Sequence, residues 1–255
     1  MITKRSILVT RPSGQAESLV ARLSSLGYLV SYEPMLEIQQ IEPLSIYGWE
    51  ASSHLPCFQH IIFVSANAVK FGLPYFLANE FLIDKRTVFY AVGSATSKLL
   101  KEAGIESISP KNDMSSEGLL ELSNFQTVNE ETVALVKGKG GLDQLAVTLR
   151  ERGAILASLE CYRRSCPMIT SRQLIEKLDD NHIEIAIFSS GESLQNFLSL
   201  ISAEIERFSR LKLLVPSNRV AKIARRSGWK QRLLISQNAT DESVIKALSE
   251  WEKER

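Results

Sequence analysis

The chain has 255 residues, 44% of them hydrophobic, which is enough apolar material for one large domain or two of ordinary size. We expect two modest domains. Thirty basic residues nearly balance 29 acidic ones and leave a net charge of +1, so no overall field would attract nucleic acid or an anionic membrane. An anionic ligand would have to be held by local groups.

The first apolar run, residues 6–10, is too short for a signal peptide and leads directly into polar sequence. No run reaches the roughly 18 apolar residues that a membrane-spanning helix needs. We therefore expect a cytosolic protein. The cysteines and histidines show neither CxxC nor HExxH spacing, which argues against a disulfide framework and a zinc site. They are Cys57, Cys161, Cys166, His54, His60 and His182.

Short β-branched or aromatic runs alternate with helical patterns along the chain. This alternation is typical of an α/β fold with parallel sheets flanked by helices. The predicted strands are residues 6–10, 28–33, 60–65, 87–92, 106–109, 131–136, 155–162, 183–188, 211–215 and 232–235. The predicted helices lie near residues 14–26, 66–79, 94–103, 115–123, 141–152, 170–179, 190–204, 218–227 and 240–252.

The chain repeats itself. The stretch EIAIFSSGESLQNFL at 184–198 has the same order of strand, serine turn and helix as HIIFVSANAVKFGL at 60–73. Further pairs match residues 88–123 with 212–249, and 8–30 with 134–156. The offsets lie between 124 and 126 residues, with Ser65 on Ser189, Gly93 on Ser217 and Gly27 on Gly153. This pattern indicates two copies of one α/β unit, although chance similarity between amphipathic segments could explain any single pair.

The order of the blocks predicts a discontinuous domain. Two extended, proline-ended connections, at about 34–43 and 160–168, would carry the chain from one domain to the other and back. One domain would then comprise residues 1–36 plus 166–255, and the other residues 38–163. Two such domains, joined by a two-stranded linker, would hinge and enclose a ligand cleft.

Small polar residues follow many predicted strands, where the carboxyl ends of parallel strands meet helix N-termini that favour anions. Helix capping alone would also explain them. The predicted substrate-binding residues are Arg11, Ser13, Ser65, Asn67, Gly93, Ser94, Lys137, Gly138, Gly140, Ser189, Ser190, Gly191, Ser217 and Asn218.

The segment KGKGG at 137–141 combines an open backbone with positive charge, which suits a carboxylate or phosphate. It is neither a GxxxxGK[ST] nor a GxGxxG motif, so nucleotide binding is poorly supported. Tyr162 lies where the second connection begins, and a phenol there could act as a general acid. Its alternative role is packing, with the hydroxyl in water.

Six blocks follow one another along the chain: ILVTRPSGQAESLVARLSSLGYLVSYEPMLEI, FVSANAVKF, AVGSATSKLLKEAGI, VKGKGGLDQLAVTLRERGA, ECYRR and ATDESVIKAL. Taken in this order, they resemble the uroporphyrinogen-III synthase family over essentially the whole chain. The resemblance implies two α/β domains and a lyase that cyclises hydroxymethylbilane, with loss of water and inversion of ring D, in haem biosynthesis. It implies no cofactor and no metal. We further expect a monomer that binds the linear tetrapyrrole substrate and transiently contacts the enzyme that makes it, with neither nucleic acid nor membrane as a partner.

The resemblance also assigns residues. Tyr162 and Thr96 match the family's functional tyrosine and threonine, and Ser65 and Ser189 match serines of its cleft. Many members carry a second threonine where this chain has Val220, which puts side-chain binding at that turn in doubt.

Two alternatives stay open at the level of the sequence. A two-domain binding protein or sensor resembling periplasmic ligand-binding folds would show similar turns, but it would release its ligand unchanged. A glycosyltransferase-like enzyme would also have two α/β domains, but that chemistry normally needs a nucleotide-sugar site and often a DxD motif.

Overall fold

The computed structural model describes residues 5–42, 44, 46–47, 57–111, 114–140 and 144–253. Pro43 of the first predicted linker, His54, Gly141 and the first three residues of the helix predicted at 141–152 lie outside these ranges. Among the described residues, every helix is too short or too polar to cross a membrane.

The chain divides into two compact units, Met1–Ile38 with Ser165–Arg255, and Gln39–Arg164. The predicted domain boundaries lie close to these, but the existence of two independently folding domains stays a prediction.

The first unit contains a five-stranded, all-parallel sheet. Its strands are β1 (Ser6–Val9), β2 (Leu29–Tyr32), β9 (Ile185–Ile187), β10 (Lys212–Val215) and β11 (Leu233–Ile235), in the order β11-β10-β9-β1-β2. Its helices are α1 (Glu17–Ser25), α6 (Ser171–Asp180), α7 (Gly191–Leu200), α8 (Asn218–Arg226) and α9 (Asp241–Lys253).

Alternate strand residues point to opposite faces of this sheet, and helices cover both faces. Leu8 belongs to a core shared with α6, α7 and α8, whereas Ile7 and Val9 belong to a core shared with α1 and α9. Burial on both sides explains why these strands are almost continuously apolar.

The second unit is built around a six-stranded sheet. Its strands are β3 (Glu37–Gln40), β4 (Ile46–Tyr47), β5 (His60–Phe63), β6 (Val88–Ala91), β7 (Thr132–Gly138) and β8 (Ile155–Ser165), in the order β3-β8-β7-β5-β6 with β4 antiparallel beside β8. Its helices are α2 (Ala66–Ala78), α3 (Ser94–Glu102), α4 (Ser116–Leu120) and α5 (Gln144–Glu151). The central pairs β8-β7, β7-β5 and β5-β6 are parallel. The predicted α/β fold with parallel sheets flanked by helices is confirmed.

The predicted strand at 106–109 is wrong. Ile108 makes one parallel bridge to Tyr90 on β6, and no strand forms there. Pro110 follows closely, and because proline has no N–H it cannot extend a ladder. Two predicted helices are also shorter than expected. The one at 115–123 reduces to α4 and a 3-10 turn at Ser123–Phe125, and the one at 190–204 to α7 and a 3-10 segment at Ser202–Phe208.

Helix caps correct the register of the repeat. Ser65 is the N-cap of α2 and accepts a hydrogen bond from the N–H of Ala68, whereas the N-cap of α7 is Ser190, which accepts from Ser193. Ser65 therefore corresponds to Ser190 rather than to Ser189. The predicted match of Gly93 with Ser217 agrees with the caps, since these residues begin α3 and α8.

Substitution of Gly72 in α2 tests how closely the core of the second unit is packed. A Cβ atom at this position would overlap Cγ1 of Val136 and lie 3.2 Å from the sulfur of Cys161. Alanine normally favours a helix interior over glycine by about 1 kcal/mol, but overpacking a core costs about 1–3 kcal/mol. We expect Gly72→Ala to lower the free energy of unfolding by about 1 kcal/mol, measured by urea denaturation with an unchanged m-value. At Gly93, the N-cap of α3, a Cβ meets nothing within 4 Å, so a loss of stability in Gly93→Ala would come from the poorer cap and not from overlap. A stabilised Gly72→Ala protein would contradict this packing.

Candidate active site

The predicted site residues lie at the carboxyl ends of parallel strands in both units. In the second unit, Ser65 follows β5, Gly93 follows β6, Gly138 ends β7 and Tyr162 lies in β8. Parallel pairing brings the carboxyl ends of these strands to one edge of the sheet, together with the N-termini of α2 and α3.

A pair of hydroxyl groups forms the centre of this edge. The phenolic oxygen of Tyr162 lies 3.0 Å from Oγ of Ser65, although the two residues are 97 positions apart. Tyr162 is only 7% exposed, and its ring lies 6.2 Å from that of Phe71 in α2, centroid to centroid. The Tyr162 hydroxyl therefore has a protein partner, and its role as a general acid rather than a packing residue stays a prediction.

The hydroxyl pair keeps one proton for a further acceptor. Oγ of Ser65 also accepts a hydrogen bond from the N–H of Ala68, at 3.1 Å. If Tyr162 donates to Ser65, the Ser65 proton can point elsewhere; if Ser65 donates, the Tyr162 proton is available. In both arrangements one hydroxyl can donate to a ligand. The N-terminus of α2 lies beside them and favours negative charge.

Gly138 makes this arrangement possible. It pairs with Tyr162 across β7 and β8 at an irregularity of the ladder. A Cβ atom here would lie 2.6 Å from the tyrosine ring and 3.0 Å from its hydroxyl, so only glycine fits without displacing the ring. Gly140 has φ +74°, a second reason for glycine in the KGKGG segment.

The two lysines of this segment differ. Lys137 is largely shielded and lies 3.8 Å from a carboxylate oxygen of Glu160. Lys139 is exposed, and its backbone N–H donates to the carbonyl of Tyr162 at 2.7 Å. Lys139 is therefore the more accessible cation of the two.

Cys161, next to Tyr162, is not a reactive group. Its thiol donates weak hydrogen bonds to the carbonyls of Ala68 and Lys137, and burial raises its pKa to about 12. A thiol with such a pKa is neutral near pH 7 and serves as a packing residue.

Thr96 is buried rather than presented at the surface. It lies in the first turn of α3, and only 3% of it is exposed, while Ser94 beside it is exposed. Its counterpart in the first unit is Val220, three residues after the N-cap of α8 and 1% exposed. Thr96 therefore takes a position that valine fills in the other copy. Asn67, in the first turn of α2, is half-buried.

In the first unit the serine turns act as caps. Ser190 and Ser217 accept from backbone N–H groups of α7 and α8, at 3.1 and 3.4 Å. Gly191 is buried, and a Cβ atom there would lie 2.7 Å from Cδ1 of Ile223 in α8, so a larger residue would require the end of that side chain to shift. Ser189 is half-buried and Asn218 is exposed.

Arg11 is bound within its own unit. Its guanidinium donates to Asp241 at 2.6 Å and to the carbonyl of Ala239 at 2.7 Å. Burial acts to raise the pKa of Asp241, but hydrogen bonds from Ser18 and Arg11 outweigh it and the net pKa is lowered. The predicted binding role of Arg11 must therefore compete with this ion pair. Ser13, two residues on, is exposed.

Sequence reasoning missed two contributors, Asp241 as the partner of Arg11 and Phe71 beside the ring of Tyr162. Asp241 lies in the quoted block ATDESVIKAL, so an acidic residue at a helix start was the available signal. Phe71 ends the quoted block FVSANAVKF, but nothing in the local pattern shows that it contacts Tyr162. Within the described ranges, histidine, cysteine, aspartate and glutamate side chains do not gather in threes to form a metal-binding set.

Asp241→Asn tests the contribution of the Arg11–Asp241 ion pair to stability. Removing this carboxylate leaves the shielded Arg11 without a counter-charge, and we expect unfolding free energy at pH 7 to fall by about 1–3 kcal/mol. Because the folded pKa is lowered, the wild-type advantage is present above the unfolded pKa of about 3.9 and disappears as pH falls through the folded pKa. Denaturation of both proteins between pH 7 and pH 2.5 measures this. Glu242→Gln, which removes the exposed neighbouring partner of Arg22, is the control and should change little. An equal loss in both variants would contradict a special role for Asp241.

Known proteins resemble this chain over most of its length. The family model HEM4, uroporphyrinogen-III synthase HemD, matches residues 17–246. The uroporphyrinogen-III synthase of Escherichia coli K12 is 30% identical over 95% of this chain and 99% of its own. That of Proteus mirabilis is 32% identical over 76% of this chain and 98% of its own.

Solved structures agree at the level of the fold. A variant of uroporphyrinogen III synthase from the bacterium Thermus thermophilus matches with a TM-score of 0.62 and 17% identity, over 98% of this chain and 100% of its own. Uroporphyrinogen-III synthetase from Helicobacter pylori 26695 matches with a TM-score of 0.59 and 15% identity, over 97% and 99%. Since the family model spans most of the sequence and the E. coli relative is matched over nearly its whole length, this chain belongs to the uroporphyrinogen-III synthase family.

Proposed function

We propose that this chain is a uroporphyrinogen-III synthase that cyclises hydroxymethylbilane. The hydroxyl of the hydroxymethyl group takes up a proton and leaves as water, and the electrophilic methylene carbon that remains is attacked by the substituted α carbon of ring D. In the resulting spiro intermediate the original bond between that α carbon and the ring C methylene breaks. The freed methylene bonds to the other α carbon of ring D, which loses its proton, and the macrocycle closes with ring D inverted. An electron-rich pyrrole ionises readily once the hydroxyl is protonated, so the protein must mainly impose the geometry of closure.

The observation that carries this proposal is the part-buried hydroxyl pair of Tyr162 and Ser65. It holds a donatable proton beside the N-terminus of α2. A donor there hydrogen-bonds the departing hydroxyl and stabilises the charge that develops on it. Thr96 is proposed as a second functional residue, on the family resemblance alone, since its buried side chain is equally consistent with packing.

The turns at the carboxyl edges suit the substrate, which carries an acetate and a propionate on every pyrrole. Each helix N-terminus leaves backbone N–H groups unsatisfied, and a side-chain cap uses only one of them. The N-terminus of α3 is open, because Gly93 has no capping side chain and nothing lies within 4 Å of where its Cβ would be. We propose that these N–H groups, with Lys139, bind substrate carboxylates.

We further propose that the segments 1–36 plus 166–255 and 38–163 act as two domains. The compact units of the structure support this division. Limited proteolysis should cut near 37–43 or 160–168 and leave folded fragments associated, whereas cuts spread evenly along the chain would contradict it.

Turnover separates this proposal from a sensor or binding protein. We expect the purified protein, without added cofactor, to convert hydroxymethylbilane to the type III isomer, at the same rate before and after exhaustive chelation. Spontaneous closure gives the type I isomer, so analysis of the oxidised porphyrins measures the enzymatic share. Product that is only type I would refute the assignment.

Tyr162→Phe tests the hydroxyl pair, because it removes one oxygen and keeps the ring against Phe71. General acid catalysis contributes about 10²–10⁴, and we expect a loss near or below the lower end because the bilane ionises easily. The readouts are turnover and isomer ratio at equal folded fraction. Full wild-type turnover with only type III product would make Tyr162 a packing residue.

Ser65→Ala tests the other half of the pair, but it also removes a helix cap. Its cost in stability should be about 1 kcal/mol. Ser115→Ala is the matched control in the same unit, because Ser115 caps α4 by accepting from Gly118 at the same 3.1 Å. We expect both variants to lose stability and only Ser65→Ala to lose turnover. Equal turnover in the two would contradict a chemical role for Ser65.

A further inference from the structure

Positive charge is concentrated in one part of a nearly neutral chain. Between Arg207 and Arg232 there are nine lysines and arginines and no acidic residue. The other 21 basic residues share the rest of the chain with all 29 acidic ones. The first unit therefore carries a local positive region that the net charge of +1 hides.

Helix α8 arranges part of this charge in a line. Arg219, Lys222 and Arg226 are spaced three and four residues apart, so they share one face of the helix, and all three are exposed. We call this set the α8 basic stripe. None of the three side chains has a hydrogen bond or ion pair to any residue within the described part of the chain. Arg225 differs, because its guanidinium donates to the carbonyls of Trp229 and Gln231.

The other copy of the repeat lacks this stripe. With Gly93 matched to Ser217, the counterparts of the three residues in α3 are Ala95, Lys98 and Glu102. The lysine and glutamate there pair with each other at 3.7 Å. The matched face thus carries a neutralised pair in α3 and an uninterrupted row of cations in α8.

The position of Arg219 points to an anion. It lies in the first turn of α8, which has no acidic residue, although the N-terminus of a helix is itself positive and favours acidic side chains. The stripe runs from there for about 10 Å along the helix, at a rise of about 1.5 Å per residue. Its first member adjoins Ser217 and Asn218, which the sequence predicts as substrate-binding residues at the carboxyl edge of the first sheet.

We propose that the α8 basic stripe attracts the polycarboxylate tetrapyrrole and guides it to the Ser217–Asn218 turn. This role rests on the proposed function. The stripe raises the rate at which a multiply charged anion is captured, and it takes no part in the chemical step. Capture has a direct use here, because substrate that stays in solution closes spontaneously to the other isomer. Three cations along about 10 Å suit carboxylates on neighbouring pyrroles.

The test is the salt dependence of kcat/KM in a triple variant, Arg219→Gln, Lys222→Gln, Arg226→Gln. Glutamine has nearly the helix propensity of lysine and arginine, so α8 should remain folded, which the thermal midpoint checks. At about 10 mM salt, where the Debye length is about 30 Å, we expect kcat/KM to fall about 5- to 10-fold. Near 1 M salt, where that length is about 3 Å, the two proteins should agree within about 2-fold. At limiting enzyme, the share of type III product measures kcat/KM against the spontaneous closure.

The matched control removes the same charge elsewhere. Lys85→Gln, Lys101→Gln, Arg150→Gln changes three exposed cations of the second unit, two of them in the last turns of α3 and α5. It should keep the wild-type salt dependence. An α8 variant that behaves like this control overturns the inference. A loss of kcat/KM in the α8 variant that persists unchanged at 1 M salt also overturns it, because it would indicate direct contact with the substrate instead of long-range attraction. Wild-type protein that makes no type III product would overturn the proposed function itself, so the two failures are distinguishable.

Discussion

The parallel pairing of strands in each unit is the constraint on which the candidate site depends. Parallel pairing places all strand carboxyl ends on one edge of a sheet, with the N-termini of the following helices beside them. Residues far apart in the chain, such as Ser65 and Tyr162, then come within hydrogen-bond distance. Burial of each sheet on both faces stabilises this arrangement and leaves its edge as the natural place for polar chemistry.

Within that edge, close packing sets the position of Tyr162. The ring occupies the space that a side chain at Gly138 would fill, and its hydroxyl meets the oxygen that caps α2. One serine therefore serves both the helix and the tyrosine. Capping and function, which compete as explanations when the turn is read in the sequence, are compatible at Ser65, since one oxygen accepts from the backbone and still engages a second hydroxyl.

The sequence predicts the α/β class, most element positions and the carboxyl-edge turns, because alternating β-branched runs and amphipathic helices reflect burial directly. It cannot predict which turns meet. Nothing in the local pattern shows that β8 lies two strands from β5, which is what brings Tyr162 to Ser65. The strand expected at 106–109 does not form for a local reason, the proline that follows it. The alignment of the repeat shifts by one residue at Ser190, because the N-cap and not the sequence match defines where the helix begins.

The two copies of the repeat show how one scaffold accommodates different demands. At matched core positions the two copies carry side chains of similar size. Thr96 and Val220, for example, have similar shapes and are both buried. Exposed positions diverge in charge instead, as Ala95 and Arg219 do, because solvent-facing residues on a helix change at little cost to the fold. The hydroxyl pair lies in one copy and the basic stripe of α8 in the other. If capture and chemistry are divided in this way, charge on α8 can change without disturbing the position of Tyr162, since these residues belong to different sheets and different compact units.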